Sequence, residues 1–398
     1  TTFVPWSDLM TEFQFKPEQP YFNIIVPTME TTRYNYILKQ LMCGGYNVLL
    51  SGETGVGKSV VIQQFLNQQS STNDYVSHTM GYSAQTKPSN IRDVLEEKLE
   101  KKRKTLLGPP AGKKMLFFID DLNMPSLETY GAQPPNELLR QLIDQEGFYD
   151  VNKLFFKNVA DVLFTGACAP PGGGRNEVSP RLLRQFSMIW LTSLSTSSMT
   201  RIFESVLSGF LKSKLPLMAD SAKAIVAASV DIYSRVESDL LPTPAKSHYT
   251  FNLRDLSKVF QGVLQIQGQH APDLPSLLKL WCHEECRVVR DRLIDDEDRK
   301  WFNDLLREML VTHLGTAWEI EEFADLLFGD YLTRDEKQYQ QIKDPKQLHD
   351  LLVEYLEEYN ITFPSQMHLV FFQDAINHIS RICRIIRQPR GNALLVGV

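Results

Sequence analysis

Asn47-Val48-Leu49-Leu50-Ser51 runs directly into Gly52-Glu53-Thr54-Gly55-Val56-Gly57-Lys58-Ser59, and this stretch fixes the reading of the whole chain. The short apolar run, bounded by glycine, reads as a buried strand. The following segment, 59–69 (SVVIQQFLNQQ), places Val61, Ile62, Phe65 and Leu66 on one helical face. Between strand and helix stands the pattern GxxxxGK[ST]. Glycines let backbone N–H groups curl around a phosphate where Cβ atoms would intrude, and the helix N-terminus adds free donors and its dipole. Lys58 is then placed to bridge β- and γ-phosphates, and the Ser59 hydroxyl to bind Mg²⁺. Gly52, Glu53, Thr54, Gly55, Val56, Gly57, Lys58 and Ser59 are the candidate nucleotide-binding residues.

Working outward, the pattern predicts helix from Thr32 to Leu41, stopped by Cys43-Gly44-Gly45. Strands are expected at 47–50, 75–80, 115–119 and 159–165, with helices at 91–102 and 136–145 between them. Apolar strands alternating with helices indicate a parallel sheet covered on both faces. Residues 1–27 read as a connector with short extended pieces. Beyond about residue 195 strand signals largely disappear. Segments 198–213, 219–239, 252–266, 274–294, 297–313, 345–359 and 372–387 are helical in pattern, which describes a helical subdomain appended to the α/β one. NVLLSG (Asn47 to Gly52) returns as NALLVGV (Asn392 to Val398), 345 residues later. The interval is that of a whole domain, so the chain reads as one module plus the opening strand of the next.

Composition agrees with an ordinary globular protein. The chain has 398 residues, 43% of them hydrophobic and 23% charged, with a net charge of −6. Length suggests roughly two to three domains, and the absence of an initiator Met suggests a segment of a longer polypeptide. Net acidity supplies no global field for nucleic acid or acidic lipid. No apolar stretch approaches the ~20 residues that cross a bilayer, and the N-terminus has no secretory signal pattern. Lys101-Lys102-Arg103-Lys104, with Lys113-Lys114, follows Glu96, Glu97 and Glu100 on one predicted helix, where cations complement the C-terminal dipole. That is a solvated face rather than a nucleic-acid patch. The five cysteines (Cys43, Cys168, Cys282, Cys286 and Cys383) form no disulfide framework. Cys282-His283-x-x-Cys286 reads as core, with metal ligation the alternative.

Met115-Leu116-Phe117-Phe118-Ile119-Asp120-Asp121 is an apolar strand ending in two carboxylates, the form of a Walker B element. Asp120 is suited to the Mg²⁺ hydration shell and Asp121 to orienting an attacking water. An Asn-Lys-x-Asp guanine element is missing, since Asn152-Lys153-Leu154-Phe155 lacks the Asp, so ATP is preferred. Arg184, in SPRLLRQF, is placed as an arginine finger, with a surface role the alternative and Arg181 one turn earlier. Arg254, in HYTFNLRDLSKVF, is either an arginine folding back on the γ-phosphate or an ordinary exposed helix residue.

These motifs together resemble the AAA+ ATPases, and the wording resembles dynein heavy chains more closely. VPTMETTRYNYIL, GETGVGKSVVIQQFL, FFIDDLNMPSLETYGAQPPNELLRQLID, GACAPPGGGRN, SPRLLRQF and HYTFNLRDLSKVFQGVL are similar to the third AAA+ module of axonemal dyneins; HISRICRIIRQPRGNALLVGV is similar to the entry into the fourth. The resemblance covers essentially the whole chain. It implies a connector over 1–27, a large α/β subdomain over 28–195, a helical lid over 196–344 and the start of the next module over 345–398. By it Arg184 serves the preceding module's nucleotide in trans and Arg254 is sensor 2. It also implies ATP or ADP with Mg²⁺, neighbouring modules of the same heavy chain, other dynein subunits, and microtubules reached only through the full-length motor. The implied location is the cytoplasm and the ciliary or flagellar axoneme, without membrane or nucleic-acid contact. Two departures imply slow hydrolysis with binding intact. Asp121 stands where the family has Glu, one methylene longer, and Ala169 stands at the sensor 1 position usually held by Asn. A misplacement near ~1 Å can cost ~10²-fold, and the finger for this site belongs to the following module.

Overall fold

The computed structural model describes residues 3–71, 74–333, 337–389 and 391–395. They form two compact units, Thr1–Glu12 with Pro27–Ser198, and Phe13–Val26 with Met199–Val398. In the connector the regular pieces are two 3-10 turns, Trp6–Leu9 and Tyr21–Asn23, rather than extended ones.

The first unit begins with α1 (Met29–Cys43), three residues earlier than the apolar period suggests. The cause is a capping box: Thr31 N–H donates to Thr28 Oγ1 at 3.2 Å and Thr28 N–H to Thr31 Oγ1 at 2.9 Å. Then come β1 (Val48–Gly52), α2 (Lys58–Ser71), β2 (Tyr75–Gly81) and α3 (Pro88–Lys98). The chain continues through β3 (Glu100–Arg103), β4 (Leu106–Gly108), β5 (Lys114–Asp120), α4 (Pro134–Gln145), β6 (Gly147–Tyr149) and β7 (Phe156–Val159). It closes with β8 (Val162–Cys168), α5 (Pro180–Leu183) and β9 (Ser187–Leu191).

Five strands form one sheet in the order β2-β5-β8-β1-β9, and every adjacent pair is parallel. Alternation along each strand divides the apolar side chains between two faces. Leu49, Phe117 and Ile119 pack with Ile91, Leu95, Leu138 and Leu142 from α3 and α4. Val48, Leu50, Leu116 and Phe118 pack with Tyr34, Leu38, Val61, Ile62 and Phe65 from α1 and α2. The predicted parallel sheet with helices on both faces is therefore the observed one.

Three local readings need correction. The third core strand is displaced to Val162–Cys168, because Phe156–Val159 belongs to a second sheet and Asp161, at φ 58°, makes the turn between them. That second sheet, β3-β4-β7-β6, has no counterpart in the sequence reading. Its first strand takes Glu100–Arg103, so the basic run is no helix C-terminus and complements no dipole. It is instead an exposed strand in which Lys102 pairs with Glu100 at 3.1 Å. Edge strand β9 is absent from the expected strands and pairs with β1 from Val48↔Ser187 to Gly52↔Leu191.

The second unit holds α6 (Thr196–Lys214) beyond its first turn, then α7 (Ala222–Asp239), α8 (Leu253–Val263), α9 (Leu274–Val288) and α10 (Asp296–Leu314). A two-residue pairing of β10 (Phe328–Gly329) with β11 (Gln340–Gln341) precedes α11 (Pro345–Thr362) and α12 (Gln373–Arg387). Residues 391–395 carry no strand, and 396–398, the end of the repeated NALLVGV, lie outside the described residues. Phe203 stacks on Phe260 with centroids 4.7 Å apart, and buried Trp281 donates to Ser229 Oγ at 2.8 Å.

Glu284 on α9 is fully buried. It accepts from Tyr339 Oη at 2.7 Å and from the Arg384 guanidinium of α12, whose Nε lies 3.0 Å away. Its carboxylate occupies the space beside Gly262, where a Cβ would come within 1.7 Å of Glu284 Oε2. Breaking such a pair from one side strands a buried charge. Arg384→Met is therefore expected to cost about 3–5 kcal/mol, read by urea unfolding through tryptophan fluorescence. Adding Glu284→Gln should recover a large part of the loss, because the uncompensated charge goes with it.

Candidate nucleotide-binding site

The sheet order puts the C-terminal ends of β1, β8 and β5 side by side, and in open α/β sheets this edge is where ligands bind. Leaving β1, the chain passes so close to β9 that a Cβ on Gly52 would stand 2.6 Å from Leu191 O. Gly55 and Gly57 then take φ of 94° and 88°, in the left-handed region that favours glycine. Val56 packs inward against the α1–α2 face of the sheet, while Glu53 and Thr54 are exposed. The loop is thus anchored by one apolar side chain and presents backbone elsewhere.

Lys58 opens α2, and its ammonium donates to Gly52 O at 2.7 Å and Glu53 O at 2.6 Å, closing the loop on itself. Burial, with the positive charge of Arg175, lowers its pKa against the opposing pull of Cys168, Asp120 and Asp121. Ser59 Oγ donates to Asp120 at 2.9 Å to Oδ2 and 3.1 Å to Oδ1. A hydroxyl and a carboxylate from two different elements therefore meet at the head of α2. That is a hard-oxygen pair of the kind Mg²⁺ takes, and the glycine cradle leaves backbone N–H groups for phosphate. The residues present fit a magnesium nucleotide.

Asp121 turns away from the strand at φ 55°, a setting in which Asp and Asn are enriched. Its side chain is exposed, and its carbonyl accepts from Met124 N–H at 2.9 Å. Ala169 is buried at the end of β8. Its carbonyl accepts from Asn123 Nδ2 at 2.7 Å.

Three family descriptions match in succession: "P-loop containing dynein motor region" over residues 13–194, "Dynein heavy chain, ATPase lid domain" over 194–299, and "P-loop containing dynein motor region D4" over 367–398. The chain belongs to the dynein heavy-chain family. It is 47% identical to human dynein axonemal heavy chain 6 across 99% of its length, and 44% identical to human dynein axonemal heavy chain 1 across 100%. Rat dynein axonemal heavy chain 12 is 38% identical across 100%. The chain spans 10% of the length of the first two relatives and 14% of the third. As a P-loop AAA+ segment of a dynein heavy chain it carries a nucleotide-binding fold.

Within this dynein segment the remaining predicted residues have other local partners. Arg184 caps α5, is exposed, and reaches Asp144 Oδ1 at 3.4 Å, a pair that solvent screening leaves weak. Arg181, also exposed, donates its backbone N–H to Ser179 Oγ at 3.3 Å. Arg254 belongs to the second unit, exposed in the first turn of α8, its backbone N–H capped by Asn252 Oδ1 at 2.9 Å. Asn152 and Lys153 lie in a turn around Asp150, whose Oδ1 accepts both backbone N–H groups at 2.9 Å. Cys282 and Cys286 are buried in α9, where burial pushes both thiols up, Cys286 to about 12. His283 Nδ1 bonds Leu326 O at 2.8 Å. Among the described residues no three His, Cys, Asp or Glu side chains gather as a metal site, and no helix is long and apolar enough to cross a membrane.

Sequence reading missed Asn123 and Asn136. Buried Asn136 donates to Leu122 O at 3.1 Å and to Gln133 Oε1 at 2.8 Å, while Gln133 Nε2 reaches Pro125 O at 2.7 Å. These amides set the loop after Asp121 against β8 and α4. The available signal was the polar residues interrupting an apolar context in DDLNMP and QPPNELL. Asn123→Ala leaves the Ala169 carbonyl without its donor. It is expected to lower stability by about 1–3 kcal/mol, seen as a reduced unfolding midpoint in calorimetry.

Proposed function

We propose that this chain is a nucleotide-holding AAA+ module of an axonemal dynein ring, the third of the series, that binds Mg·ATP or Mg·ADP and turns over slowly. The observation that carries the proposal is the meeting of Ser59 with Asp120 beside a glycine loop closed by Lys58. On this reading the backbone N–H groups of Gly55 to Lys58 hold the β-phosphate. Lys58 exchanges the Gly52 and Glu53 carbonyls for phosphate oxygens, and Ser59 with Asp120 takes the magnesium shell. Magnesium held by Ser59 and Asp120 would supply charge neutralisation for the phosphates.

Asp121 is the residue assigned to orient water. Its shorter side chain springs from a left-handed backbone, which supports slow chemistry, as does an apolar Ala169 at the sensor position. These same two features favour the second reading, a module that keeps its nucleotide bound and stabilises the ring without turnover. Arg184 is assigned in trans to the preceding module's nucleotide, consistent with its exposure and weak pairing, and Arg254 is assigned as the sensor 2 arginine of the lid. Through the full-length heavy chain, with its neighbouring modules and other dynein subunits, nucleotide state here would regulate microtubule-based ciliary motility. The ring position, the trans role and the axonemal setting come from the likeness to axonemal heavy chains.

Lys58→Ala is expected to abolish binding of a fluorescent ATP analogue in equilibrium titration; retained tight affinity would end the proposal. Removing Mg²⁺ with EDTA should weaken the unsubstituted chain markedly. Asp120→Asn should bind weakly with or without the metal, so a full magnesium response in that variant would refute its assignment.

A further inference from the structure

The segment after β8 is bent into a tight hairpin. Gly172 N–H donates to Arg175 O and Arg175 N–H to Gly172 O, each at 3.1 Å. Gly172, Gly173 and Gly174 take φ of 124°, 58° and 85°, a run that side-chain-bearing residues rarely adopt. The far limb is tied down. Asn176 N–H donates to Asn123 O at 3.0 Å, and Asn176 Nδ2 to Pro125 O at 2.8 Å. Both acceptors belong to the loop that begins at Asp121. Arg175 is therefore held between the end of β8 and the carboxylate loop. β8 is the direct neighbour of β1, with Cys168 opposite Ser51, so the hairpin rises from the same sheet edge as the glycine loop.

One observation bears on its guanidinium. Arg175 is half-buried, and its Nε is buried with no hydrogen-bond acceptor among the described residues. A desolvated charge-bearing donor without an acceptor is costly, and such a group calls for an anion. Lys58 and Arg175 thus follow neighbouring strands at one sheet edge, and one carboxylate there, Asp120, is already engaged by Ser59.

We propose that Arg175 is a second phosphate-binding cation for this chain's own nucleotide, acting in cis on the terminal phosphate of a nucleoside triphosphate. The glycine loop provides for the inner phosphate, and Lys58 reaches the terminal one only as a single point charge bridging the two. The strand-end segment carrying Ala169 is where a polar side chain would meet the outermost one. Ala169 has nothing to offer it, whereas Arg175, six residues on in the same segment, offers a forked donor that matches phosphate oxygens. This assignment rests on the nucleotide-binding reading above and deepens it. Arg175 makes the site discriminate triphosphate from diphosphate.

The test is titration of the 398-residue chain with Mg·ATPγS and separately with Mg·ADP, comparing Arg175→Ala, Arg175→Lys and the unsubstituted protein. Arg175→Ala should weaken Mg·ATPγS by about ten- to a hundredfold while changing Mg·ADP by less than about threefold. Arg175→Lys should recover part of the triphosphate affinity, and neither variant should alter the unfolding midpoint measured without nucleotide. Equal losses for both nucleotides, no loss for either, or a fall in that midpoint matching the affinity loss would each overturn the assignment. An unsubstituted chain that binds neither nucleotide would defeat the nucleotide reading itself, an outcome distinct from any of these.

Discussion

One contact organises the site: the Ser59 hydroxyl donating to the Asp120 carboxylate at 2.9 Å. The two residues lie 61 positions apart, on the first turn of α2 and the last residue of β5. They meet because β8 is inserted between β1 and β5 in the parallel sheet, setting the spacing of the loops that leave the strands. A change in strand order or a slipped register would part hydroxyl from carboxylate, however intact each motif remained. Parallel pairing tolerates little slip here, since a one-residue shift exchanges the two buried faces.

Those faces explain why the strands read so plainly. Both are covered, so every position of β1 is buried and the run is uniformly apolar up to Ser51 and Gly52. Beyond that point helix amides take over, and the polar residues of the site appear as soon as the sheet ends. The second unit is organised differently. Its helices pack through aromatic and aliphatic side chains, and a buried ion pair, Glu284 and Arg384, joins α9 to α12. That pair adds directional bonds to an otherwise apolar contact at the cost of desolvating two charges.

Electrostatically the sheet edge is balanced. Lys58 is drawn toward the charges of Asp120 and Asp121, and the thiol of Cys168 has its pKa raised by burial. On the proposed reading, a bound magnesium nucleotide would alter this balance from both sides. Asn123, Asn136 and Gln133 make no such charge pairs; they hold the loop backbone on which the charged groups depend.

Local patterns in the sequence were sufficient for the phosphate loop, the carboxylate-tipped strand, both faces of the parallel sheet and the succession of helices. Each of these is encoded within a window of a few residues, by periodicity or by glycine placement. The strand shifted from 159–165 to 162–168 was less legible, because Val159 and Ala160 prolong the apolar run and only the pairing of Phe156–Val159 with β6 and β4 assigns Val159 elsewhere. The basic run at 101–103 has no local feature that separates a helix end from a hairpin edge; antiparallel pairing with Leu106–Gly108 makes it a strand. The sequence by itself therefore determined which chemistry this chain can carry. Tertiary structure alone decided which residues share a space, Asn123 with Ala169 and Ser59 with Asp120, because that proximity follows from strand order in a sheet and not from distance along the chain.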